Sequence, residues 1–209
     1  MKFKYYFLFF VVLCCLVFSV CCVTLAISKE KTLIIEKEAK HKISIDMPRE
    51  GNERLSGLLD SKIGEIRENF LNVVRTDHPM DKVYTLDITY QRTLYEEYIS
   101  YCFVISTYTG GAHPNTSFFT IVYDTLEGKV LDLSDYNLEV ISKNVRGDLL
   151  MNPKIIQTDF LMSGTEPVLE NFQHFIFTEE GILFFFPPYQ VGPYSSGTFE
   201  SLVSWEKLL

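Results

Sequence analysis

The chain has 209 residues, of which 47% are hydrophobic and 22% charged, with 27 acidic and 19 basic side chains and a net charge of −8. This length and composition suit one sizeable hydrophobic core and argue against a disordered, collagen-like or disulfide-dense protein. They also argue against nucleic acid as a partner, because the basic residues are scattered among Asp and Glu and form no phosphate-binding cluster. We therefore expect a compact globular body with a neutral or basic partner.

The N-terminal segment is uncharged from Tyr5 to Ile27. As a helix it would extend about 35 Å, enough to cross about 30 Å of hydrocarbon. Lys2 and Lys4 are the only charges before it, and positive charge stays on the cytoplasmic side. Residues 1–28 are therefore predicted to be a membrane anchor or signal peptide. The C-terminal domain would lie outside the cytoplasm, in a single-pass protein of the cell membrane or, if the segment is cleaved, a secreted or periplasmic one.

Two alternatives to an uncleaved anchor stay open. Thr24–Ala26 would make a passable signal-peptidase site, although the apolar run is longer than that of most signal peptides. Lipidation at Cys21 is the second, but the preceding Phe18–Val20 fits a lipoprotein pattern only at Ser19. The exported part keeps the single cysteine Cys102, so it can form no internal disulfide. Without Lys2 and Lys4, its net charge falls from −8 to −10.

The first predicted elements of the exported part are two strands and a long helix. Leu33–Glu36 and Lys42–Asp46 are rich in β-branched residues, and Pro48 ends the second strand. From Leu55 to Val74, apolar residues recur at steps of three and four, which predicts an amphipathic helix. The Asp77–Pro79 segment is expected to stop it, since a residue before proline avoids the helical conformation.

Strands dominate the remainder. Two strands are predicted from an alternating segment, Tyr84–Tyr90, and an aromatic run, Tyr98–Tyr108. Two more are predicted at 117–123 and 129–133, and they flank a hairpin turn where Gly128 can take a positive φ. Leu138–Leu149 has helical periodicity and ends before Pro153, and residues 152–167 form either a long surface loop or a partly helical lid. The last predicted strands are 172–177, 182–186 and 198–205. This order predicts an α+β fold in which two main helices cover one side of antiparallel sheets.

Two stretches resemble the signatures of a bacterial envelope family. They are Tyr108–Asn115, which contains Gly110-Gly111-Ala112-His113-Pro114, and Phe184–Gly197, with its prolines and tyrosines. Asp124, Gly128-Lys129 and Leu131–Leu133 occupy the places that the family would give them. The family comprises the paired domains of unknown function found in lysozyme-sensing anti-sigma factors of the RsiV type and in peptidoglycan deacetylases of the PdaC type. The resemblance implies an N-terminal α+β module at 32–106 and a C-terminal α+β module at 107–209.

The departures from this family bear on function. Only Met1–Lys4 precede the apolar run, where the anti-sigma factors have a sigma-binding region. The deacetylases have paired aspartates and a spaced histidine pair for a metal, and this sequence has neither. The resemblance therefore implies recognition without catalysis, with no cofactor and no metal.

His113 is the candidate catalytic residue. A general base needs an orienting carboxylate and a nucleophile, and the sequence offers no recognised arrangement of them, so a role in a tight turn is the favoured interpretation. Ser195 and Ser196 lack the preceding glycine of a nucleophile elbow and are assigned to a turn. His41, His78 and His174 are far apart in sequence, which argues against a zinc site.

The proline-rich loop Pro187–Gly197 is the second candidate site. Its tyrosines and prolines form a stiff segment that would lose little entropy on binding, although the same residues could instead close the end of the core. The predicted ligand-binding residues are Tyr189, Tyr194, Pro193 and His113. The predicted function is a membrane-anchored, extracytoplasmic recognition domain that binds a basic protein such as lysozyme or a cell-wall glycan fragment. The alternative is an envelope hydrolase with His113 as its base.

Overall fold

The computed structural model describes residues 32–38, 40–76, 82–155 and 157–208. Thr32–Leu209 form one compact unit. The predicted membrane segment 1–28 and the predicted helix stop at Asp77–Pro79 lie outside the described residues. No described helix combines the length and apolar character needed to cross a bilayer.

Six strands form the larger sheet in chain order: β1 Thr32–Lys37, β2 His41–Met47, β3 Tyr84–Tyr95, β4 Tyr98–Tyr108, β5 Asn115–Asp124 and β6 Lys129–Val130. Neighbouring strands are antiparallel except for β2 and β3, which are parallel. The reason lies in the connection: the helix α1, Glu53–Thr76, carries the chain back so that β3 starts beside the start of β2. The prediction of purely antiparallel sheets was therefore wrong for this sheet, which is mixed.

The helix α1 confirms the predicted amphipathic pattern. It begins after Asn52, whose side-chain oxygen accepts a hydrogen bond of 3.0 Å from the Leu55 amide and so satisfies one free donor of the first turn. Its buried face consists of Leu55, Leu59, Ile63, Phe70 and Val74. These residues share a core with inward-facing side chains of β2, β3 and β4, among them Ile43, Leu86 and Phe103.

The hairpin between β5 and β6 is also confirmed. Gly128 has φ +64°, and the Asp124 carboxylate accepts hydrogen bonds of 2.8 Å from the amides of Leu126 and Glu127. A side chain that holds two amides in this way replaces main-chain acceptors within the turn.

A second sheet follows, made of the antiparallel strands β7 Phe175–Phe177, β8 Gly181–Phe186 and β9 Phe199–Ser204. The helix α2, Leu138–Leu149, packs on it through Ile141, Val145 and Leu149. A third helix, α3 Thr158–Gly164, lies within the segment predicted to be a loop or partly helical lid. The described residues thus contain three α-helices rather than two main ones.

The smaller sheet lies against the larger one on the face opposite α1. Cys102 and Phe118 of the larger sheet pack against Ile176 and Phe185 of the smaller one. Hydroxyl groups of three strands satisfy the edge of β7: Thr93 donates to the Phe177 carbonyl at 2.6 Å, Ser100 accepts from the Phe177 amide at 3.1 Å, and Thr120 accepts from the Phe175 amide at 3.1 Å. The helices α1 and α2 therefore lie on opposite outer sides of the paired sheets, so the prediction that the helices cover one side was wrong.

Candidate functional site

The two signature stretches meet in space, although residues 116–183 lie between them in the chain. The rings of His113 and Tyr194 are stacked, with centroids 3.5 Å apart and planes 18° apart. The Tyr194 hydroxyl donates a hydrogen bond of 2.6 Å to the Pro114 carbonyl. Each stretch therefore fixes the position of the other, and one short segment before β5 is joined to the loop after β8.

Buried contacts hold the Pro187–Gly197 loop from beneath. The Gln190 side chain donates to the carbonyls of Gly164, at 3.0 Å, and Asn171, at 2.8 Å. Val191 is fully buried. A Cβ atom at Gly164 would lie 2.0 Å from the Gln190 carbonyl oxygen, so only glycine allows α3 to approach the loop this closely. The loop is thus pre-organised, and Gln190 and Val191 anchor it to the body of the domain in addition to the contact of Tyr194 with His113 and Pro114.

Tyr189 is presented outward in an unusual backbone conformation. Its φ is +74°, in the left-handed region that residues other than glycine rarely adopt, and 57% of its surface is exposed. Its ring centroid lies 5.7 Å from that of Tyr194, with 40° between the ring planes. Pro193 is half-buried and precedes the short 3-10 turn Tyr194–Ser196, which confirms the turn predicted for the serines. Neither tyrosine belongs to the buried core clusters.

An open cleft of about 680 Å³ lies beside this aromatic group. Its lining residues come from three parts of the chain and are mostly hydroxyl-bearing or charged: Thr116, Lys154, Pro188, Tyr194, Ser195, Ser196, Gly197 and Thr198. Lys154 is the one charged residue among them, and within the described residues no carboxylate lies within salt-bridge distance of its ammonium group. The sequence analysis missed Lys154 and Thr116, because neither belongs to a motif. The contact that brings Lys154 here is a hydrogen bond of 3.1 Å from the Ser196 hydroxyl to its carbonyl.

The surroundings of His113 are those of a stacked turn residue. Its Nδ1 lies 3.2 Å from the Pro114 carbonyl oxygen, the same atom that accepts from Tyr194. In the described parts of the chain, no carboxylate or hydroxyl side chain hydrogen-bonds to the ring. Those parts also contain no group of three or more His, Cys, Asp or Glu that could hold a metal ion.

A second polar cluster lies inside the molecule. The Glu50 side chain is only 3% exposed; it accepts a hydrogen bond from the Tyr101 hydroxyl and pairs with Arg92 Nε at 3.0 Å. Burial, and then the hydrogen bond to Glu50, raise the pKa of Tyr101 well above its ordinary value. None of these three residues lines the cleft beside Tyr194, and their side chains bond to one another.

Cys102, the one cysteine among the described residues, is also buried. Burial raises the pKa of Cys102 to about 12, which keeps it protonated and unreactive at neutral pH.

Known proteins resemble this chain in sequence and in fold. A model of the family described as "Protein of unknown function (DUF3298)" matches residues 132–206. This range contains Lys154 and the whole Pro187–Gly197 loop, whereas His113 and Thr116 lie outside it. The cleft is therefore lined jointly by the matched region and by Thr116 at the start of β5.

Relatives and solved structures extend the likeness over most of the chain. It is 28% identical over 179 residues to immunogenic protein MPB64 of Mycobacterium bovis and to immunogenic protein MPT64 of Mycobacterium tuberculosis, covering 78% of this chain and 74% of theirs. A DUF3298 family protein from Pseudomonas aeruginosa has the same fold, with a TM-score of 0.66 at 17% identity over 86% of this chain and 91% of that one. A member from Bacteroides fragilis aligns with a TM-score of 0.59 at 18% identity, over 85% and 90% of the two chains.

Proposed function

We propose that this protein is an extracytoplasmic recognition domain of the bacterial cell envelope, tethered by a single membrane span at its N-terminus, and that the cleft beside Tyr194 is its ligand site. The carrying observation is the pre-organised aromatic group formed where the two signature stretches meet. Rigid, exposed aromatic rings provide contact area at low entropic cost. The resemblance of the two signature stretches to RsiV- and PdaC-type envelope proteins supports this role.

A cell-wall fragment is the favoured ligand. The cleft is lined by hydroxyl groups, an aromatic ring and one lysine, which is a surface suited to a polar, neutral or acidic molecule. A basic protein such as lysozyme is the second candidate, favoured by the net charge of −10 that remains once Lys2 and Lys4 are set aside. The lysine in the cleft would repel a cationic partner, so lysozyme would have to approach through another, acidic part of the surface.

Binding without catalysis is the simplest role for His113. A general base must be oriented and must face a nucleophile, whereas this ring stacks on Tyr194. If the protein were instead an envelope hydrolase, incubation with purified cell walls would release soluble fragments, and His113→Gln would stop the release. We expect no release from either protein.

Co-sedimentation tests the recognition role. The full chain, purified in detergent, is mixed with insoluble cell-wall material and separately with hen lysozyme on beads. We expect retention on the cell wall, weakened by Tyr189→Ala. Leu126→Ala is the matched control. Leu126 is also a large, exposed residue, but it follows the C-terminal end of β5, whereas the cleft residue Thr116 lies at the N-terminal end of that strand. Retention on neither material would contradict the proposal, and retention on lysozyme alone would replace the favoured ligand by the second candidate.

The tether has its own test. Alkaline phosphatase fused after Leu209 should be active in cells, because that enzyme works only outside the cytoplasm. An inactive fusion, together with an active cytoplasmic reporter at the same position, would reverse the assigned orientation.

A further inference from the structure

The lining of the cleft narrows the ligand chemistry further. Four of its residues are Thr116, Ser195, Ser196 and Thr198, whose hydroxyl groups both donate and accept hydrogen bonds. Such a lining suits a ligand that itself carries many hydroxyl or amide groups. An apolar ligand would leave these groups desolvated and unpaired, which opposes its binding.

The aromatic group supplies a second requirement. The Tyr194 hydroxyl is already bonded to Pro114 and its ring is backed by His113, so the ring is held in place before any ligand arrives. Tyr189 projects beside it at 5.7 Å. The electron-rich face of such a ring attracts the weakly positive C–H groups that line one face of a pyranose sugar. A saccharide satisfies both the hydroxyl lining and the aromatic face.

Charge adds the third requirement. Lys154 is exposed at the cleft, and no described residue offers it a carboxylate partner at salt-bridge distance. An ammonium group that is free of internal partners can pair with an anionic group of the ligand. We infer that the cleft binds a carboxylate-bearing saccharide, with a sugar ring on Tyr189 and Tyr194 and the carboxylate on Lys154. This inference rests on the proposed recognition role and names its ligand class.

Isothermal titration calorimetry of the full chain in detergent tests this inference with defined sugars. The acidic probes are the disaccharide of N-acetylglucosamine and N-acetylmuramic acid, and a digalacturonate, so that the two arms distinguish muramic from uronic acids as the source of the carboxylate. The neutral probes are the methylamide of the first disaccharide and N,N′-diacetylchitobiose. We expect at least one acidic probe to bind more tightly than the neutral ones.

The variants separate charge from stacking. Lys154→Gln should weaken the acidic probe about fivefold and leave the neutral probes unchanged, whereas Lys154→Arg should retain the preference. Tyr189→Ala should weaken acidic and neutral probes alike, by about tenfold. Lys129→Gln is the matched control. This exposed lysine of β6 lies opposite Asp124 in the strand register, at the end of β5 remote from Thr116, so its replacement should change nothing. Melting curves of each variant establish that it is folded.

Three results would overturn the inference. The first is equal affinity of the wild type for the acidic and neutral probes. The second is that Lys154→Gln weakens binding of the neutral probes as much as binding of the acidic probe, and the third is that no sugar binds. The recognition role would survive any of these results if the chain still sedimented with cell walls or bound lysozyme, so the two failures are distinguishable.

Discussion

Two tyrosine-centred clusters in this molecule have similar constituents and opposite surroundings. Tyr101 bonds to the carboxylate of Glu50 beside Arg92 in the interior, whereas Tyr194 bonds to a main-chain carbonyl and stacks on His113 at the surface. In the buried Glu50 cluster, the Tyr101 hydroxyl and Arg92 Nε both donate to the Glu50 carboxylate, because unpaired polar groups would be costly there. At the surface, the hydrogen bond fixes the ring but leaves its neighbours Tyr189 and Lys154 available to solvent.

The difference separates stability from recognition. The Glu50 cluster joins the segment after β2 to β3 and β4, so its groups maintain the fold. The left-handed backbone at Tyr189 lowers the stability of the fold, because it is strained and the side chain is mostly exposed. Strain at such a position is consistent with a binding role, and variants of the two clusters should therefore fail in different assays.

The largest expected effect is in the buried cluster. Glu50→Ala should lower the free energy of unfolding by about 3 kcal/mol, because it leaves Arg92 and the Tyr101 hydroxyl without their shared acceptor. Urea denaturation measures the change. Glu50→Gln is the matched control: it keeps the volume and an acceptor oxygen and should cost less. If Glu50→Ala lowered the free energy of unfolding by less than about 1 kcal/mol, the cluster would not be important for the stability of the fold.

Tyr194→Phe should have a smaller effect, about 1 kcal/mol, because it removes one partly exposed hydrogen bond and keeps the ring. The stronger signature is local. Without this bond, the Tyr108–Asn115 segment keeps only the ring stacking as its contact with Tyr194, so its amides should exchange hydrogen faster. Unchanged exchange there would indicate that ring stacking alone joins the two stretches.

Sequence patterns predicted the elements that are long and strongly periodic. The bounds of β4 and α2 match their predicted residues, and α1 extends only a turn beyond its apolar repeat. The parallel pairing of β2 with β3 was missed, because strand direction depends on how a crossover packs and not on the periodicity of either strand. The helix α3 has seven residues, too few to show a helical repeat in a segment with Gly and Pro.

Some residues of the candidate site were also predictable from the sequence, whereas their arrangement was not. His113, Tyr189, Pro193 and Tyr194 were recognisable because they lie in two distinctive stretches. Their meeting could not be read from the sequence, since it follows from the Tyr194–Pro114 bond and from the close approach of Gly164 to Gln190. Lys154 was not recognisable at all, because an isolated lysine in a polar loop has no pattern that distinguishes it from other surface charges.

The strain at Tyr189 gives a third prediction, in which the direction of the effect matters more than its size. Tyr189→Gly should be more stable than Tyr189→Ala by about 0.5 kcal/mol, because glycine adopts φ +74° freely and this outweighs the entropy that it adds to the unfolded chain. Chemical denaturation of the two variants measures the difference. Both variants should bind the ligand about tenfold more weakly than the wild type, so a glycine variant with undiminished affinity would contradict a role for the Tyr189 ring.

The smallest expected effect concerns His174, which is half-buried, in contrast to the exposed His113. Burial lowers the pKa of His174 below its ordinary value of 6.5, so the unfolded chain takes up a proton at a higher pH than the folded chain does. The contribution of His174 to stability is therefore fully present above pH 6.5 and is lost as the pH falls from 6.5 towards the folded-state pKa. His174→Gln should remove this part of the pH dependence. The urea midpoint of each protein is measured at pH 7.5 and at pH 5.5. Its decrease between these two pH values should be smaller in the variant than in the wild type. Equal decreases would show that the His174 ring takes up its proton as readily in the folded protein as in the unfolded chain.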